Sequence, residues 1–261
     1  MYEPVIQLVR EASGRHPWAM SPSSLTVRSR ALWESLAGAP VQFAPALRVA
    51  VSPDSRLGPP GWVDIVVISG AVIATAPTPE VAHAVQEALG ALPAASLTDS
   101  AILSTRLQLI EVLGPACLAY LDPAEFRPHV GPIAVEQLSP HDEDLSPVIA
   151  ASSAEDVEES DIRHITSPAF VTREHGTITS VAGYRDWSGE VAHASVLTIA
   201  TARGRGLART TASAAISHAI HRGKLAQWRA RPKASQRIAR ALGFRELGSQ
   251  ACVRLQIERS S

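Results

Sequence analysis

The residues best suited to chemistry lie near the C-terminal end, where the apolar run Val196-Leu197-Thr198-Ile199 leads into Arg203-Gly204-Arg205-Gly206-Leu207-Ala208. An Ala-rich stretch of helical character follows, to about His221. A strand that ends in a glycine turn and opens a helix leaves several backbone N–H groups unpaired at the positive end of the helix dipole. Such a corner suits a diphosphate: Gly204 and Gly206 let the main chain come close, while Arg203 and Arg205 add full charges. It is no Walker loop, because no Gly-Lys-Ser/Thr follows. It is no Rossmann fingerprint either, because a third glycine and an acidic residue about 20 positions on are both missing.

Groups for proton transfer are sparser. His193 precedes the turn on the same strand, where alternation gives it a face shared with Ser195 and Leu197 and leaves Ala192, Ala194 and Val196 on the other. A lone strand histidine is more often a hydrogen-bonded structural residue. Glu155, Glu158 and Glu159 fall on a short acidic helix, so His193 and Glu158 are the candidate bases, with a solvated helix face as the alternative for the glutamates. Ser235 reads as the cap of the last helix. Tyr184, Trp187 and Trp228 are candidates to line a substrate site or to fill the core. The nine histidines are scattered and Cys117 and Cys252 are far apart, so a metal centre and a disulfide are not expected.

The elements that must position these groups alternate between helix and strand. Helices are expected over 4–13, 24–36, 79–89 and 98–113, with β-rich stretches over 47–52 and 62–75 and a short strand over 116–121. Five prolines, Pro123, Pro128, Pro132, Pro140 and Pro147, and the acidic run Asp142-Glu143-Asp144 then suggest a linker holding one strand, 133–136. Downstream the spacing predicts a helix over 154–162, strands over 169–173, 177–187 and 191–199, and a helix over 206–221. Strand 225–230, helix 234–242 and an alternating strand over 246–258 complete the order. That is the pattern of a mixed α/β sheet with helices on its faces.

The chain has 261 residues, 46% of them hydrophobic and 19% charged, enough for one large or two small globular units. No apolar stretch reaches the roughly 18 residues of a membrane span, and no leader pattern is visible, so a cytoplasmic protein is expected. The formal net charge of −1 hides an asymmetry. Beyond Thr201 basic residues far outnumber Glu246 and Glu258, whereas residues 121–200 are mainly acidic. An anionic ligand in the last quarter and a cationic amine beside the acidic flank would suit this distribution.

The strand Val196-Leu197-Thr198, the turn Arg203 to Ala208, and the tract Ala234-Ser235-Gln236-Arg237-Ile238-Ala239-Arg240-Ala241-Leu242-Gly243-Phe244 together resemble the GNAT superfamily of acyl-CoA-dependent N-acyltransferases. The resemblance runs from about Ile133 to Glu258 and is strongest between Val191 and Phe244. It implies a GNAT-type mixed sheet flanked by helices in residues 129–261. Residues 1–128 would form a smaller, non-catalytic α/β domain whose element order suits a degenerate copy of the same fold.

It further implies acetyl-CoA as cosubstrate and an amine acceptor that the sequence does not identify. Backbone N–H groups of Arg203, Gly204, Arg205, Gly206, Leu207 and Ala208 would hold the diphosphate, and the edge Val196, Leu197, Thr198 the pantetheine amides. Ser235 would lie nearby, and Leu197 or Thr198 N–H would steady the oxyanion. Two positions depart from the family: Ala239 stands where many members place a tyrosine acid, and Pro232 where an Asn is common. A non-catalytic acyl-CoA binder or sensor is therefore the alternative. A homodimer is a candidate assembly. A nucleic-acid surface on the basic stretch is disfavoured, because no exposed aromatics are interleaved with it.

Overall fold

The computed structural model describes residues 22–256, so the helix expected over 4–13 lies outside the described residues. In chain order the elements begin with helix α1 (Pro22–Leu36) and strands β1 (Val49–Val51), β2 (Val63–Ile68) and β3 (Ala71–Ala76). Helices α2 (Pro79–Leu89) and α3 (Ser100–Arg106) lead to β4 (Leu109–Tyr120), then β5 (Val135–Leu138), α4 (Leu145–Ala150) and α5 (Ala154–Ser160). Strands β6 (Ala169–Glu174), β7 (Thr177–Trp187) and β8 (Val191–Thr198) precede α6 (Leu207–His221). The chain then runs through β9 (Leu225–Ala230), α7 (Lys233–Ala241) and β10 (Arg245–Leu255).

Two compact units emerge, one of Ala119–Arg245 and one of Pro22–Leu118 with the residues from Glu246 on. The linker reading had put the division at 128/129 and kept the tail with the C-terminal part. Strand pairing explains the difference: β10 is antiparallel to β2, with Ala251 opposite Ile65 and Cys252 opposite Asp64. In this unit the strand order is β1-β3-β2-β10-β4. Val63, Ile65, Val67, Val81, Val85 and Leu89 pack into its core with Ala251 and Val253.

Local chemistry accounts for most boundaries here. Thr78 Oγ1 accepts from Val81 N, and Pro79 sits in the first turn, so α2 starts where its cap demands. The stretch expected as one β-rich run is a hairpin, β2 and β3, turning at Ser69-Gly70 with both residues at positive φ. The helix expected over 98–113 is shorter. Asp99 caps it through Ala101 N and Ile102 N, but it ends at Arg106, and the β-rich residues that follow join β4. Gly114, just past the end expected for that helix, lies within the strand at φ 117, where a Cβ would stand 2.7 Å from the Gln250 carbonyl oxygen.

In the unit Ala119–Arg245 the sheet order is β9-β8-β7-β6-β5. Strands β5 to β8 are antiparallel neighbours, and β9 joins β8 in parallel, so the sheet is mixed. Helices cover both faces. Leu145 and Val148 of α4 and Val157 of α5 pack on Val171, Val181 and Leu197, whereas Ala219 of α6 packs on Tyr184 and Ala192 of the other face. The strands and helices expected for this half are all present. Their ends shift by a residue or two, and β5 is displaced from 133–136 to Val135–Leu138.

Among the described residues no helix is long and apolar enough to cross a membrane.

Candidate functional site

The parallel pairing of β8 with β9 is short: Val191 faces Leu225, Ala192 faces Ala226, His193 faces Gln227, and there it ends. Beyond that point both strands border a cavity of about 500 Å³, through Ala194, Val196, Leu197 and Thr198 on one side and Trp228 and Arg229 on the other. The backbone edge of β8 from Ala194 onward thus faces the cavity and not a neighbouring strand. Ala202, Arg203 and Gly204 with Gly206 to Arg209 close one end, α7 another, and Asp156, Glu159 and Ser160 of α5 complete the wall.

At the closed end the chain passes through one 3-10 turn, Ala200–Ala202, and enters α6 with Gly206 as N-cap at φ 81 and no side-chain cap. Among the described residues, the N–H groups of Gly204 through Ala208 donate to no backbone carbonyl, while Arg203 N reaches Ala200 O at 3.3 Å. Unpaired donors at a helix start hold partial positive charge. A Cβ at Gly206 would meet only His129 Nε2, at 3.9 Å, and one at Gly204 would meet nothing within 4 Å. Gly204, Gly206, Leu207 and Ala208 line the cavity.

This corner is fixed from three sides. Ser180 of β7 hydrogen-bonds Thr198 Oγ1 of β8 at 2.8 Å and Thr211 Oγ1 of α6 at 3.1 Å, which locks the helix start to the two strands. Ser213 Oγ accepts from His129 N at 2.8 Å on the outer side of the helix. Burial, and then the charge of Arg209, holds the His129 imidazole below its ordinary pKa. Trp228 forms a wall because its indole N–H donates to Ser235 Oγ at 2.9 Å and its ring meets Phe244 edge-on at 5.5 Å. Ser235 therefore anchors a wall residue and is no cap; the residue preceding α7 is Pro232, without a side-chain bond.

The cations are distributed differently from the sequence reading. Arg203 pairs with Asp156 at 2.8 Å and also donates from Nε to Thr198 O. Arg205 forms a two-pronged pair with Glu174, at 2.7 and 2.5 Å. Each carboxylate neutralises much of the charge expected for phosphates. Arg209 and Arg237 also line the cavity, and neither has a carboxylate partner among the described residues. Their positions in the helical repeats were visible in the sequence; that Arg203 and Arg205 would be occupied was not.

The candidate bases fare unevenly. His193 does not line the cavity: it is buried, stacked on Trp187 at 4.3 Å, and bonded through Nδ1 to Gln227 Oε1 at 3.0 Å. Burial, helped by Arg229, pushes its pKa down to about 3 against the opposing Gln227 bond. Glu158 is exposed and borders a separate surface hollow with Asp161 and His164. Glu159 does face the cavity, but it receives Arg231 N at 3.1 Å and Arg231 Nε at 2.6 Å. Asp156, which the sequence reading passed over, is the other carboxylate on the wall. Tyr184 is buried and bonds His218 at 3.0 Å, away from the site. Ala239 is buried and brings no acid.

A mixed sheet whose parallel strands part beside a helix start, with a cavity in the fork, places this unit in the α/β class. Residues 169–249 match the family model described as GNAT acetyltransferase. Among solved structures, a GCN5-related N-acetyltransferase from Kribbella flavida is 15% identical with TM-score 0.46, the match covering 62% of this chain and 65% of that one. An acetyltransferase of the GNAT family from Colwellia psychrerythraea is 11% identical with TM-score 0.44, covering 60% of each chain. A GCN5-related N-acetyltransferase-like protein from Streptococcus suis 89/1591 is 14% identical with TM-score 0.44, covering 96% of this chain and 100% of that one. The chain spans less than two thirds of the length of the first two. No curated protein matches the sequence.

Proposed function

We propose that the unit Ala119–Arg245 binds acetyl-CoA in the cavity between β8 and β9 and transfers its acetyl group to an amine. The observation that carries this reading is the run of vacant N–H groups from Gly204 to Ala208 at the open end of α6. These donors would hold the diphosphate, with Val196, Leu197 and Thr198 pairing with the pantetheine amides as an added strand does. The thioester would then reach the fork where β8 and β9 part. A main-chain N–H of Leu197 or Thr198 would stabilise the charge that develops on the carbonyl oxygen. In the transfer the amine nitrogen bonds to the thioester carbon, the C–S bond breaks, and the proton lost by nitrogen ends on the thiolate, giving amide and free thiol.

Calorimetry with acetyl-CoA tests the binding step, and release of free thiol in the presence of an amine panel tests the transfer. Saturable binding with thiol release above background is the expected result. No binding at millimolar cofactor overturns the reading.

One observation favours a second reading, a non-catalytic acyl-CoA binder. Ala239 supplies no acid, His193 lies outside the cavity, and Glu159 is already bonded to Arg231. Binding without thiol release from any amine would select it.

A further inference from the structure

We propose that the loop of residues 52–62, between β1 and β2, is a strap held down by the protonated form of Asp64, and that it lifts when Asp64 ionises and bares the thiol of Cys252. The device belongs to the unit of Pro22–Leu118 with the residues from Glu246 on, and it stands apart from the acetyl-CoA reading.

Asp64 is 1% exposed on β2, opposite Thr75 of β3 and Cys252 of β10. The loop closes over it. A Cβ at Gly58 would overlap Asp64 Oδ1 and stand 2.6 Å from Cys252 Sγ, so the loop backbone lies directly on both side chains. Asp64 Oδ1 has no hydrogen-bond partner among the described residues, and Oδ2 receives Ser55 Oγ at a long 3.4 Å.

The groups that face this carboxyl are polar and not cationic. They are Ser55 and Gly58 of the loop, Thr75 of β3, and Cys252 of β10, whose thiol is the other titratable group. Charged side chains of the neighbouring elements are engaged elsewhere. Glu34 of α1 accepts from Phe43 N, Arg30 donates to the Ile68 and Ser69 carbonyls, and Arg254 of β10 pairs with Glu111. Asp54 and Arg56 of the loop are exposed. Burial therefore favours the neutral acid and raises its pKa to about 7.

The strap is tied lightly. Pro53, Pro59 and Pro60 bring no N–H. It is held by Arg56 N to Leu36 O at 2.8 Å, Gln250 Nε2 to Leu57 O at 2.5 Å, Ser55 Oγ with Thr75 Oγ1 at 2.8 Å, and the buried Leu57 side chain. Lifting it brings water to Asp64 Oδ1 without breaking a strand pair. The closed loop holds the proton more tightly than the open one does. Closure is thus favoured fully below the ordinary pKa of about 4 and is lost progressively as pH rises to 7.

Amide hydrogen exchange of the full chain, followed by NMR and corrected for intrinsic rates, tests this. The Arg56 amide is expected to exchange through an opening that low urea leaves unchanged, with an opening constant that rises at least about tenfold from pH 5 to pH 7. Asp64→Asn should remove the rise. Exchange of Arg56 with the same protection and urea dependence as the β2 amides would mean that Asp64 ionises only on global unfolding, and would overturn the strap. So would a wild-type opening constant that ignores pH, or the same rise in the variant. The wild-type pH and urea dependences decide the matter even where the variant fails to fold.

Discussion

Asp156 Oδ2 lies 2.8 Å from Arg203 Nη2 and accepts from Ser153 Oγ at 2.5 Å, so a carboxylate of α5 holds the first arginine of the glycine turn. Hydrogen bonding from Ser153, then the Arg203 contact, keeps this carboxyl below its ordinary pKa. The pair is partly exposed and modest in strength. Its consequence is competition, since a diphosphate at the α6 start would draw on the same guanidinium. Asp156→Asn is expected to tighten acetyl-CoA binding about two- to fivefold at low ionic strength, with the gain fading in high salt. Weaker binding in the variant would show that Asp156 supports the cofactor and does not compete with it.

Gly206 gives a sharper case. At φ 81 it occupies the left-handed region, and the space before it is open. Gly206→Glu places a carboxylate against the proposed diphosphate and is expected to abolish binding, while folding stability falls only as a strained residue requires, about 1–2 kcal/mol. Unchanged affinity would remove the cradle from the account.

His193 is expected to be structural. A pKa near 3 in the fold, below the ordinary 6.5, means the unfolded chain takes up its proton first as pH falls. The stability that neutral His193 provides is therefore present above about pH 6.5 and is lost on acidification toward pH 3. His193→Gln should flatten that acid limb. The pH profile of acetyl transfer should keep its shape, because the imidazole stays neutral throughout the working range. A limb near pH 6–7 that disappears in the variant would restore His193 as the base.

In the other unit, Asp64 is a buried carboxyl whose pKa burial raises to about 7, despite hydrogen bonds from Cys252, Ser55, the Gly58 backbone and Thr75. The sign is opposite to that of a salt-bridged acid. The fold carries no penalty below the ordinary pKa of about 4, loses stability as pH rises to 7, and is level beyond. The loss amounts to roughly 4 kcal/mol at most. Asp64→Asn should remove this slope in denaturant titrations between pH 4 and 7. Identical slopes in the two proteins would contradict it.

The parts of this molecule legible in the sequence are those governed by neighbours along the chain. The start of α6 at Leu207, the cap and first turn of α2, and strands β7 and β9 follow from glycine, proline and alternation within a few residues. What the sequence concealed depends on contacts between distant segments. The helix expected over 98–113 gave way to β4 because strand pairing outweighs local helical preference from Leu109 on. Arg203 and Arg205 looked like phosphate ligands because Asp156 and Glu174 lie 47 and 31 residues away. Ser235 looked like a cap because its bond to Trp228 spans a strand end and a turn.

The central claim is that main-chain amides at the start of α6 hold the cofactor's diphosphate. Backbone ¹H–¹⁵N resonances followed during titration with acetyl-CoA test it most directly. The account requires downfield amide proton shifts concentrated at Gly204 through Ala208, saturating with the calorimetric affinity. Saturable binding that leaves those five amides unmoved, and shifts resonances elsewhere, would contradict it.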